Sequence, residues 1–172
     1  MPLTAQAAVF AGFTQTLEAL SAIIDKAVAQ AAERKIAPEV LLSSRLAPDM
    51  LPFSRQIQLT CDFAKNAAAR VSGAENPKKP DEETSFDELK ARIAWTSAFI
   101  ASVDATALDA GLARDVTFPR GPSATVTMTG EKYLTRFAVP NFYFHATTAY
   151  AILRENGIQI GKGDFLAHVL DG

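Results

Sequence analysis

Between Pro140 and Gly157 the sequence reads PNFYFHATTAYAILRENG, and Asn141, His145 and Thr148 stand in it at steps of four and three. That spacing lays three polar side chains along one helix face, in the stripe Leu134, Ala138, Asn141, His145, Thr148 and Ile152. The stripe is apolar at its ends and polar in its middle. An imidazole placed there can carry a proton, anchor a ligand through a hydrogen bond, or give one nitrogen to a metal ion. The plainer alternative is a core histidine bonded to a neighbouring hydroxyl or carbonyl. A buried polar group without a partner costs about 1 to 3 kcal/mol, so something must answer all three side chains.

Candidate partners lie on an earlier helix, where Gln56, Thr60, Cys61 and Asp62 span about two turns. Asp62 can orient the imidazole if it turns inward, or pair with Lys65 on a solvated face. Cys61 can act as a nucleophile only as its thiolate, and no run of basic residues or helix N-terminus stands by to favour that form. Buried and inert is the expected state. Tyr143 and Tyr150 can donate hydrogen bonds into a pocket, and Trp95 falls beside the main stripe of its own helix. Phe142, Tyr143 and Phe144 are consecutive, so at least one must face away from the core. The chain has two histidines, His145 and His168, too few for a metal site built of histidines alone.

The elements that must position these residues follow from periodicity. Residues 5–34 repeat Val9, Phe10, Phe13, Leu17, Leu20, Ile24, Ala27 and Ala31 at steps of three and four, the pattern of a long amphipathic helix. The connection APEVLLSSRLAPDMLP holds three prolines, with a short helical turn expected over 39–42 behind Pro38. A second helix is predicted from Phe53 to Val71, stopped at Ser72-Gly73, with Phe53, Ile57, Thr60, Ala64, Ala67 and Val71 turned inward. GAENPKKPDEET then reads as a charged connector. Ser85 with Glu88 resembles a capping box, and Phe86, Leu89, Ile93, Thr96, Ile100 and Val103 continue as a third helix.

The period then changes. RDVTFPRGPSATVTMTG alternates Val116 and Phe118, then Val126 and Met128, about a PRGP turn, which predicts a β-hairpin. A fourth helix starts near Gly130 or Glu131 and is kinked or split at Pro140 before it ends at Asn156. A short terminal helix is expected from Gly163.

The chain has 172 residues, 48% of them hydrophobic and 21% charged, with a net charge of −2. One domain spanning residues 1–172 is the expectation, and it offers no electrostatic footprint for nucleic acid or an anionic membrane. A lone cysteine points to a reducing compartment, and the first twenty residues lack the basic segment of a signal peptide. A cytoplasmic protein is expected.

Three blocks, RLAPDMLPFSRQIQLTCDFAKNAAARVSG, DEETSFDELKARI and YLTRFAVPNFYFHATTAYAILRENGIQIGKGDFL, resemble an uncharacterised family, a domain of unknown function related to the DinB and YfiT-like proteins. The resemblance runs from about Ala5 to Leu166. It implies an all-α fold, a DinB-like four-helix bundle with a small β-hairpin inserted before the last long helix, often dimeric, with a pocket opening at one end. In metal-binding relatives a histidine of the second helix joins two histidines four residues apart on the last. His145 is similar to the first of that pair, but Ala149 stands in the second position and residues 45–71 contain no histidine. The resemblance therefore implies a pocket without the full metal site. It would be lined by Gln56, Asp62, Asn141, His145 and Thr148, hold a small molecule, and use His145 as ligand anchor or proton carrier. No cofactor is expected. Lys162 and Asp164 would close the pocket or pair with each other, and Arg70 and Arg154 could meet an anionic ligand. Two alternatives stand beside this reading: a divergent metal-dependent hydrolase or transferase with a divalent ion at His145, and a non-catalytic homodimer.

Overall fold

The apolar stripe of the first helix sets the architecture. In the computed structural model, which describes residues 3–121 and 123–166, a π-helical turn Gln6–Phe10 leads into α1, Ala11–Glu33. Phe10, Phe13, Leu17, Leu20, Ile24, Ala27 and Ala31 are all buried, as their spacing requires. By length and composition Gln6–Glu33 could also cross a membrane. Its apolar face is instead spent on the protein core, where each fully buried large side chain contributes about 1.5 to 3 kcal/mol.

Pro38 opens the short α2, Pro38–Ser43, and Pro52 precedes α3, Phe53–Ser72. The predicted inward series of α3 is buried throughout. The helix ends on Gly73, whose φ of 80° is the left-handed turn that glycine adopts without strain. Ser85 and Glu88 exchange their side-chain and backbone bonds to cap α4, Phe86–Ser102. A further helix that the periodicity did not reveal, α5 (Ala105–Gly111), is started by Asp104, which accepts from the Thr106 N–H at 2.9 Å. Seven residues are too few for a helical stripe to be legible.

Strands β1, Asp115–Arg120, and β2, Ala124–Thr129, pair antiparallel with Val116 opposite Met128 and Phe118 opposite Val126. Val116 and Phe118 turn into the core. The chain then enters α6, Gly130–Tyr133, a π-helical turn Leu134–Ala138, and α7, Val139–Glu155. The expected disturbance at Pro140 takes the form of that π turn. The N–H of Val139 bonds back to Leu134 rather than to the residue four before it, one residue ahead of a proline with no N–H to give. A last turn, α8, covers Lys162–Phe165.

Helices α1, α4, α3 and α7 form the bundle in that cyclic order, each packed on two others, and the hairpin follows α5 in the chain and packs against α6. Two glycines permit the close approach there. A Cβ on Gly111 would lie 1.7 Å from the Val71 carbonyl oxygen, and one on Gly130 would lie 2.1 Å from the Gly111 carbonyl oxygen. Both clashes are with backbone, which cannot swing aside.

The connector between α3 and α4 is not a loose strap. Arg92 of α4 is fully buried, and its guanidinium reaches Asp62 at 2.9 Å, Asp81 at 2.9 Å, Glu83 at 3.0 Å and the Pro80 carbonyl at 2.9 Å. Lys65 adds a bond to the Pro77 carbonyl at 2.9 Å. Burial opposes the arginine charge, but the hydrogen bond to Glu83 and the carboxylate of Asp62 hold its pKa above the ordinary value.

Two outcomes follow from this packing. Gly111→Ala should lower unfolding stability by ~3 kcal/mol, the upper end of overpacking costs, in a urea titration. Arg92→Met should cost about 3 to 5 kcal/mol, because the largely buried side chain of Glu83 loses its counter-charge and Asp62 keeps only the longer pairing with Lys65, and limited proteolysis should then cut within residues 74–84.

Candidate functional site

Helix α3 carries two polar faces with different partners. Gln56 and Phe63 are seven residues apart, about 20° around the helix, and both turn toward α7. Gln56 is buried, and its Oε1 lies 2.8 Å from Nδ1 of His145. Its Nε2 donates to the carbonyl of Leu51 at 3.0 Å. Phe63 stacks nearly parallel on the imidazole, with centroids 5.5 Å apart and planes 14° off, while Phe144 meets the ring edge-on at 5.2 Å. The imidazole is half-buried in this aromatic setting. Burial first, and the charge of Arg55 second, hold its pKa below the ordinary 6.5, so the ring is neutral at neutral pH.

The other two polar residues of the α7 face are answered locally. Asn141 donates to the Phe137 carbonyl and Thr148 to the Phe144 carbonyl, each at 2.7 Å and each four residues back. Thr60 does the same on α3, donating to the Gln56 carbonyl at 2.7 Å. His145 differs from them: its Nδ1 is held across the helix interface, and its Nε2 makes no hydrogen bond among the described residues.

Asp62 does not orient the imidazole. Six residues beyond Gln56, it sits about 120° around α3 and faces α4, where Arg92 claims it. Its spacing to Lys65 is 3.8 Å, so that pairing is present but secondary. Cys61 is buried, and burial pushes its thiol up to about 12, which removes it as a nucleophile at neutral pH.

The remaining candidates scatter. Phe142 is fully buried, Tyr143 is 37% exposed against Phe13, and Phe144 is 57% exposed. Arg70 donates to the Tyr133 hydroxyl at 3.0 Å and lies over the Phe118 ring, while Arg154 is exposed. Trp95 is covered by the ammonium of Lys79 at 5.4 Å. Asp164 pairs with Lys26 and accepts from the Gly161 N–H, so it is not bound to Lys162. Lys162 lines, with Thr147, Tyr150 and Phe165, an apolar cavity of about 170 Å³ away from His145. His168 lies outside the described residues.

Phe63, Arg55 and the Leu51 carbonyl were not singled out from the sequence. Phe63 had a signal, since it shares the Gln56 face at a spacing of seven. The Leu51 carbonyl had none, because a backbone oxygen carries no residue-type signature.

The residues do not fit the three-histidine metal site that the resemblance brings to mind. Ala149 is fully buried in the core, the α3 side chain that meets His145 is an amide, and Asp62 is committed elsewhere. Among the described residues no three His, Cys, Asp or Glu side chains gather to hold an ion.

A crystal structure of a DinB family member protein from Shewanella denitrificans is similar over 92% of this chain and 89% of that one, at 39% identity and a TM-score of 0.85. No curated protein matches the chain. Residues 6–166 match the family described as Domain of unknown function (DUF1993), so a bundle with a hairpin before its last long helix is shared with a DinB-family structure, and the chain belongs to that family of unknown function.

Proposed function

We propose that this DUF1993 protein binds a small molecule at His145, on the α3 and α7 face. One observation carries the reading. Of the three polar residues on that face, Asn141 and Thr148 bond within their own helix, while His145 keeps its Nε2 without a partner among the described residues. Phe63 stacks on the ring and Phe144 meets its edge, so a ligand bonded at Nε2 would have aromatic surface beside it. In this reading His145 anchors the ligand and Gln56 holds the ring, while Asn141 and Thr148 are satisfied by carbonyls four residues back.

A second reading, self-association over this face, draws on the exposure of Phe144 and Tyr143. Light scattering that finds a monomer at the concentrations used for binding ends it.

The ligand reading is tested by a fragment screen observed by protein NMR. Fragments should shift the resonances of His145, Phe63 and Phe144 together, and His145→Ala should weaken them about tenfold or more while circular dichroism stays unchanged. Hits that survive His145→Ala overturn it. Stoichiometric zinc or nickel in protein purified without a histidine tag would instead favour a metal-dependent hydrolase or transferase.

Stability should also depend on pH through this ring. The folded state holds His145 neutral, whereas the unfolded chain takes up a proton near pH 6.5, so below that pH the unfolded state binds more protons and stability falls. Above it the contribution is fully present. Urea midpoints of the wild type should drop more steeply from pH 7 to pH 5 than those of His145→Gln.

A further inference from the structure

We infer that Gln56 is a positioning residue that locks His145 as its Nδ1–H tautomer, so that the site selects ligands offering a hydrogen-bond donor to Nε2. This deepens the reading of His145 as a ligand-binding centre and rests on it.

The inference follows from what each atom is able to do. The Leu51 carbonyl can only accept, and it lies 3.0 Å from the Gln56 amide nitrogen. Reversing the amide would set two oxygens against each other at that distance, with no proton between them. The carbonyl is itself held in place. Leu51 precedes Pro52, which restricts it to extended backbone, and Pro52 leads directly into α3. The Gln56 oxygen must therefore face His145, and at 2.8 Å an oxygen acceptor requires a proton on Nδ1. A neutral imidazole has one N–H. Its other nitrogen, Nε2, is left with a bare lone pair.

That assignment decides what the site can read. A carbonyl, ether or carboxylate oxygen placed at Nε2 would meet lone pair against lone pair, whereas a hydroxyl or N–H would be received. Phe63 and Phe144 on two sides of the ring favour an apolar body behind that donor. A neutral amide suits this task better than a carboxylate. Asp or Glu in place of Gln56 would also accept from Nδ1–H, but its charge would draw a second proton onto the ring and close the lone pair.

Long-range ¹H–¹⁵N correlation spectra of the imidazoles, assigned with His168→Ala, read the tautomer directly in the free protein. The expected result is His145 protonated at Nδ1 alone at pH 7.5, with Gln56→Leu converting it to a mixture of tautomers. Protonation at Nε2 in the wild type, or a mixture there, overturns the inference whatever the protein binds. Phenol and anisole then test selectivity with the same ring. Phenol should shift the His145 signals and anisole should not, and Gln56→Leu should weaken the phenol response about fivefold. Equal responses to the two probes overturn donor selection. Silence toward both removes the ligand reading while the tautomer result stands by itself, so the two failures are distinguishable.

Discussion

A single buried guanidinium organises one half of this protein. Arg92 has no exposed surface, yet it carries a charge that a protein interior tolerates only when paired and hydrogen-bonded. The chain meets that demand by folding the 73–84 connector back so that Asp81, Glu83 and the Pro80 carbonyl reach it, and by turning Asp62 of α3 toward it. Helix α4 is thereby tied to α3 through polar bonds as well as through its apolar stripe. Gln58 joins the arrangement by donating to Glu83 at 2.8 Å.

The same demand shapes the other face of α3. With Asp62 held by Arg92, no carboxylate is left beside His145, and the imidazole is met by an amide. An imidazole against a carboxylate tends to take a second proton; one against an amide, half-buried and near Arg55, stays neutral. Arg92 on α4 and His145 on α7 thus meet different faces of α3, Asp62 on one and Gln56 on the other, about 120° apart. The chain shares its fold with a DinB-family structure, but what surrounds His145 is an aromatic and amide environment.

The long helices were legible because each repeats large apolar residues over several turns. Gly73 and the Ser85–Glu88 box marked their ends by local chemistry alone. The hairpin announced itself by a change to alternation. The short α5 did not, and the charged connector read as a simple solvated link because its partner, Arg92, lies at a core position of the following helix. An arginine three residues after Leu89 and four before Thr96 was the available sign of a buried charge. At the site, Asn141, His145 and Thr148 were visible as polar interruptions of an apolar stripe, and Gln56 as one of four candidate partners on an earlier helix.

Sequence by itself determined the long helices, the hairpin and the faces they present, since helical periodicity, caps and turn residues act over a few neighbours. It determined as well that His145 stands without the two histidines of a metal triad. Only the tertiary structure decided pairing: which polar residue of α3 meets the imidazole, that Asn141 and Thr148 bond to carbonyls four residues back and not across the helix interface, and that a backbone oxygen at Leu51 orients the Gln56 amide. Those outcomes depend on how far one helix is rotated against another, and a rotation of about 120° separates Gln56 from Asp62 on the same helix. Residue type and spacing limit the partners a side chain can have; the packing of α3 between α4 and α7 chooses among them.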